Sequence, residues 1–232
     1  MSEAQTIEID LQARSAGAGS VSGIWMRPAE ASCLYLLAHG AGADMRHHFL
    51  EEIAARLAAR GVATLRYQFP YTEAGRKRPD PPRLLEATVR AAADEAIRRA
   101  PDLPLIAGGK SMGGRMTSQA QSAAPLPGVL GLAFLGFPLH PAGKPATARA
   151  EHLAGVEVPM LFLQGTRDDL ADLELLEPVL APLAPRAELH VIDGADHSFR
   201  VPARSGRRAE DVIGELAAAV SDFASRVSPA SA

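Results

Sequence analysis

The feature that most constrains this chain is the recurrence of short apolar runs separated by longer stretches of helical periodicity. Cys33 to Ala38, Val62 to Leu65, Leu103 to Ala107, Val129 to Leu135, Met160 to Leu163 and Leu189 to Ile192 are apolar segments of strand length. A strand wetted on one face alternates polar and apolar residues, so uninterrupted runs imply burial on both faces. Between them, Leu50, Ile53, Ala54 and Leu57 recur at i, i+3, i+4 and i+7, and Leu85, Val89, Ala92, Ala93 and Ala96 form a second such stripe. Val212, Ile213, Leu216, Val220 and Phe223 make a third, with Glu210 and Asp211 where a helix N-terminus favours acids. Strands alternating with helices specify an α/β, doubly wound, mostly parallel sheet with helices on both faces. Thr6 to Gln12 and Ser20 to Met26 are expected to add a leading antiparallel pair, giving about eight strands and five or six helices.

At 232 residues, the chain fits one domain spanning 1–232, with 227–232 expected to fray. Lys and Arg number 24 against 27 Asp and Glu, so no global basic field exists to hold a nucleic-acid backbone. The longest apolar stretch, Leu126 to Leu139, is broken by Pro127, Gly128, Gly131, Gly136 and Pro138 and is too short to span a bilayer. The first ten residues lack the basic-then-apolar order of a signal peptide, and the single cysteine, Cys33, can form neither an internal disulfide nor a thiolate metal cage. A cytoplasmic protein with no membrane or nucleic-acid partner is the expectation.

The strongest local signal is Leu105-Ile106-Ala107-Gly108-Gly109-Lys110-Ser111-Met112-Gly113-Gly114, a strand running into Gly-x-Ser-x-Gly and then helix-forming sequence. This is the pattern of a nucleophile elbow, a sharp strand-to-helix turn with the serine at its tip. Gly109-Lys110-Ser111 also ends like a phosphate loop, but Pro104 stands where the first glycine belongs, and three of the four intervening residues read as buried strand. His47, Glu51 and Asp44 cluster at a helix start without completing a metal-binding motif, so no metal or cofactor is expected.

Two more groups occur in the order a serine nucleophile requires. After Met160 to Leu163 comes Gln164-Gly165-Thr166-Arg167-Asp168-Asp169, and after Leu189 to Ile192 comes Asp193-Gly194-Ala195-Asp196-His197. Ser111 is a poor nucleophile until a base takes its proton, which assigns His197 as base and Asp168 as the carboxylate that orients it. Asp168 is chosen because it lies within the turn, while Asp169 is expected to cap a helix beginning near Leu170. His39-Gly40-Ala41-Gly42 follows another buried strand, and the amides of Ala41 and Met112 are the candidate oxyanion donors.

With these residues assembled, the chain resembles the α/β-hydrolase superfamily from about residue 5 to 226. His39-Gly40-Ala41-Gly42, Phe69-Pro70-Tyr71, Gly109 to Gly114 and Phe137-Pro138-Leu139-His140-Pro141 look like a small, lidless family related to dienelactone hydrolases. Dienelactone hydrolases use a cysteine nucleophile, whereas Ser111 stands at that position here. The resemblance therefore implies a serine hydrolase acting on a small-molecule acyl substrate, with no cofactor. Only Pro141 to Glu157 occupies the usual place of a lid, which implies an α/β-hydrolase fold without a cap domain. Gln68 to Arg78 is expected to wall the cleft; its basic run Arg76, Lys77 and Arg78 reads first as a solvated loop and second as a contact for an anionic substrate. A non-catalytic interaction scaffold on the same fold is the alternative.

Overall fold

The computed structural model describes residues 3–12 and 19–229. In chain order the elements are β1 (Gln5–Asp10), β2 (Ser20–Met26), β3 (Cys33–Ala38), α1 (His48–Ala58), β4 (Val62–Tyr67), α2 (Pro70–Glu73), α3 (Pro82–Arg99), β5 (Leu105–Lys110), α4 (Met112–Ala123), β6 (Val129–Leu135), β7 (Met160–Gly165), α5 (Leu173–Leu180), β8 (Ala187–Ile192) and α6 (Ala209–Val227). Among the described residues, three 3-10 turns, Ala148–Gly155, Ala181–Leu183 and Ala203–Ser205, fill connections.

The eight strands form one sheet in the order β1-β2-β4-β3-β5-β6-β7-β8. The β1–β2 and β2–β4 pairs are antiparallel and all others are parallel. Going from β3, the chain turns one way to β4 and the other way to β5. That reversal opens a crevice beyond the carboxyl ends of β3 and β5, where doubly wound sheets place their sites. Ala38 and Gly109 are paired across it.

The apolar runs bury both sheet faces as their composition requires. Leu34 and Leu36 of β3 face a layer containing α3 and α4, while Tyr35 and Leu37 face α1 and α6. The α1 stripe of Phe49, Leu50, Ile53, Ala54 and Leu57 is entirely buried, each large member contributing about 1.5–3 kcal/mol of transfer free energy. Among the described residues no helix is long and apolar enough to cross a membrane.

Three expectations change. The run from Leu189 to Ile192 is not buried on both faces, because β8 is the sheet edge and Val191 stays 39% exposed. The fifth strand starts later than its apolar run and continues through Gly108 and Gly109 to Lys110. It can do so because β3 and β6 close in where no Cβ stands: one on Gly108 would lie 1.8 Å from the Ala133 carbonyl oxygen. Finally, Val227 is helical and Ser228 is held by Ala224, so the expected tail does not begin at 227. The last part of it, 230–232, lies outside the described residues.

Replacing Ile53, which is fully buried, by alanine is expected to lower the unfolding free energy by about 2–5 kcal/mol in urea denaturation. Arg56→Ala on the exposed side of the same helix is expected to cost less than about 1 kcal/mol.

Candidate active site

Ser111 sits between β5 and α4 with φ 51° and ψ −118°, a conformation that costs a non-glycine residue about 1–3 kcal/mol. The bend is held on both sides. The Ser111 amide donates to the Leu135 carbonyl at 3.2 Å, extending the β5–β6 ladder, and the Arg115 amide donates to the Ser111 carbonyl at 3.1 Å. Gly113 makes the turn possible, since a Cβ there would stand 2.5 Å from the His39 carbonyl oxygen and 2.7 Å from Ala38 Cβ.

Opposite Ser111, the turns after β7 and β8 bring two further side chains together. His197 Nε2 lies 2.8 Å from Ser111 Oγ, and its Nδ1 lies 2.9 and 2.8 Å from Asp168 Oδ1 and Oδ2. An ionised carboxylate only accepts, so Nδ1 carries the proton and Nε2 is free to accept from the serine hydroxyl. The Asp168 side chain is 1% exposed and that of His197 19%, so the acid is sealed off while the imidazole faces the pocket. Asp168 also accepts from the Leu170 amide at 2.8 Å and from Gln164 Nε2.

Gln164, fully buried at the end of β7, belongs to the candidate site although sequence reasoning did not single it out. Its carbonyl oxygen accepts from the Phe137 amide at 2.9 Å while its amide holds Asp168, tying the acid to the turn after β6. Only its polarity within an otherwise apolar strand end could have flagged it. His39 carries a comparable role. It is buried, donates from Nδ1 to the Gly40 carbonyl at 2.8 Å and accepts at Nε2 from the Phe69 amide at 3.2 Å. Burial lowers its pKa, which preserves the neutral ring that both bonds require.

The candidate oxyanion donors lie on either side of Ser111. Met112 opens α4, where the amide has no intrahelical acceptor. Ala41 is exposed in the pocket, in a loop packed so closely on the elbow that a Cβ on Gly40 would be 3.4 Å from Ser111 Cβ. The pocket itself, about 360 Å³, is lined by Gly40 to Ala43, the start of α1, Lys110, Ser111, the 197–200 loop, Ala209 and Ile213.

Some sequence expectations are corrected here. No residue of Gln68 to Arg78 lines this pocket: Arg76 is bound to Asp80 at 2.7 Å, and Arg76 and Arg78 border a different surface depression. The helix after Asp169 starts at Leu173, not near Leu170, and its cap is Asp172, whose carboxylate accepts from the Glu174 amide at 2.9 Å, while the Leu170 amide is bound by Asp168. His47 caps α1 by accepting from the Phe49 amide at 3.3 Å. Burial pushes the Cys33 thiol up to about 11, which leaves it inert.

Residues 31–225 match the alpha/beta hydrolase domain family, and the chain belongs to that family of hydrolases. Its fold is similar to that of a dienelactone hydrolase from Anabaena variabilis, at 20% identity over 98% of this chain and 99% of that one, with a TM-score of 0.75. A serine hydrolase without a lid from Xanthomonas campestris is 19% identical over 95% of each chain, with a TM-score of 0.72. An esterase from Pyrococcus furiosus is 15% identical over 97% of this chain and 93% of that one, with a TM-score of 0.73. In keeping with the lidless relative, the 141–157 connection holds only the Ala148–Gly155 turn, which packs against α4 through Ser118 and Ser122 and contributes nothing to the pocket lining.

Gln164→Leu leaves the buried Phe137 amide without an acceptor and is expected to cost about 1–3 kcal/mol in thermal or urea unfolding. An unchanged midpoint would show that the amide is satisfied without it.

Proposed function

We propose that this chain is a serine hydrolase that cleaves carboxylic ester, thioester or related acyl bonds of small or accessible substrates through an acyl-enzyme. The observation that supports this most is the unbroken line of hydrogen bonds from Ser111 through His197 to the buried Asp168, ending at a pocket.

In this reading Ser111 Oγ attacks the substrate carbonyl while His197 Nε2 takes its proton. Base catalysis of this kind contributes roughly 10² to 10⁴-fold. Asp168 keeps Nδ1 protonated and stabilises the imidazolium that forms. The carbonyl oxygen becomes an oxyanion received by the Ala41 and Met112 amides, each such donor being worth roughly 2.7–4 kcal/mol. Collapse breaks the bond to the alcohol or thiol, which leaves with the proton from Nε2. Water then attacks the acyl-serine by the same route, its proton passing through His197, and the acid departs as Ser111 recovers its hydrogen. No step requires a cofactor or metal. With no cap to open, activity should not depend on a lipid interface. A single-domain enzyme in a reducing, cytoplasmic setting belongs to the same proposal, supported by Cys33 as the one cysteine and a free, buried one.

A fluorophosphonate probe is expected to label wild-type protein at Ser111 and to leave Ser111→Ala unlabelled by mass spectrometry. His197→Ala is expected to slow labelling by roughly 10² to 10⁴-fold. Folded wild-type protein that neither labels nor hydrolyses a short p-nitrophenyl ester would identify a scaffold instead. Hydrolysis confined to emulsified long-chain triglyceride would overturn the uncovered-site reading.

A further inference from the structure

The lysine that precedes Ser111 has a role that base, acid and oxyanion donors leave unused. Lys110 ends β5, yet its Nζ donates to the backbone carbonyl of His197 at 2.6 Å, 87 residues further along the chain. The same Nζ lies 5.4 Å from the centre of the Phe199 ring. Gly136 faces this point with φ +72°; a Cβ on it would come within 3.0 Å of Lys110 Nζ and 3.5 Å of both Asp168 Oδ2 and His197 Cε1. Ammonium, acid and base thus converge on one spot that a side chain would fill.

We propose that Lys110 is the positioning residue for the base, its ammonium tying the nucleophile's strand to the His197 backbone and fixing the imidazole over Ser111. This rests on the hydrolase reading above. The loop it holds is under strain. Phe199 has φ +60°, and the Asp196 carboxylate gathers the Ser198 and Arg200 amides at 2.8 and 2.9 Å into a tight turn. Such a conformation persists only where its surroundings over-determine it. The Lys110 bond is an anchor on His197 itself, and Phe199 stacks on Phe49 at 5.8 Å to complete the hold.

A charged anchor also makes the site sensitive to alkali. Asp168 after β7 and Asp196 after β8 attract the ammonium, His47 at the start of α1 repels it, and Arg200 shares the same pocket. Burial outweighs the two acids and brings Lys110 down to about 8. Charge-assisted hydrogen bonds are roughly twice as strong as neutral ones, so deprotonation loosens the anchor. The competing effect, easier formation of the imidazolium once the positive charge is gone, would raise activity instead. The two have opposite signs.

The test is the rate of fluorophosphonate labelling from pH 6 to 10 in wild type, Lys110→Met and Lys110→Arg. The wild-type rate is expected to fall above about pH 8. Lys110→Met, with neither charge nor donor, should label roughly 10- to 100-fold more slowly at pH 7 and show no such fall. Lys110→Arg should recover much of the rate and keep it to pH 10. Histidine-selective 1H–15N spectra provide a readout without turnover: the His197 resonances should step near pH 8 in wild type and not in Lys110→Arg. That arm still decides the matter if Lys110→Met does not fold, or if wild type fails to label and the hydrolase reading falls. A Lys110→Met rate and profile equal to wild type, a wild-type rate flat or rising through pH 8–10, or no step in the His197 resonances would overturn the proposal.

Discussion

The close passage of the β5–α4 turn over the end of β3 is the constraint on which the rest of the site depends. Glycine at 109 and 113 lets two backbones meet at distances that a Cβ would forbid, 2.3 Å from the Ala38 oxygen in one case and 2.5 Å from the His39 oxygen in the other. Ser111 absorbs the geometric mismatch in a positive φ. Its strain of about 1–3 kcal/mol is offset by a ladder bond on one side and a helical bond on the other. The same approach presses the 39–43 loop onto the elbow, so the serine, the start of α4 and the loop carrying Ala41 are located by one packing contact. His39 makes that loop rigid by spending both ring nitrogens on backbone groups.

A second, separate constraint sets the other half of the site. The turns after β7 and β8 are stitched by backbone: the Arg167 amide donates to the Ala195 carbonyl at 2.9 Å, and a Cβ on Gly165 would lie 2.2 Å from that same oxygen. Asp168 and His197 are therefore placed relative to each other before their side chains meet. His140 extends the control outward, accepting from the Asp172 amide at 3.1 Å and so holding the start of α5 to the loop after β6. Gln164 and Lys110 then couple this half to the turn after β6 and to β5, which is how two independently built halves come to a common register.

What could be read from residue order follows from this division. Apolar strand runs and helical stripes reveal themselves locally, and the doubly wound sheet with its leading antiparallel pair is legible for that reason. So is the elbow, where close backbone approach demands glycines at fixed spacing. Ser111, Asp168 and His197 were legible as candidates because each follows a strand in a turn, and the sheet gathers such turns at one edge. What escaped in Gln164, His39 and Lys110 are their bonds to partners 27, 30 and 87 residues away, a relation that no local pattern encodes. The expected wall at Gln68 to Arg78 failed on similar grounds. A basic run says only that its side chains need water or an acid, and Asp80, four residues on from Arg76, supplies the acid.

The position of the pocket bears on where selectivity can reside in a fold of this size. No cap adds a wall to this pocket, because the 141–157 segment is occupied with α4 through the Ser118–His152 contact. The walls left are the 40–43 loop, the first turn of α1, the 197–200 loop and the start of α6 at Ala209 and Ile213. On the proposed mechanism, the first must keep its geometry for Ala41, and the 197–200 loop must keep its geometry for His197. On that mechanism, freedom to vary is therefore concentrated at the openings of α1 and α6, where His47, His48, Glu52, Ala209 and Ile213 border the pocket and the bonds that hold Ser111, His197 and Asp168 come from elsewhere. On the proposed mechanism, a lidless hydrolase built this way changes what it accepts at two helix starts without touching the bonds that hold Ser111.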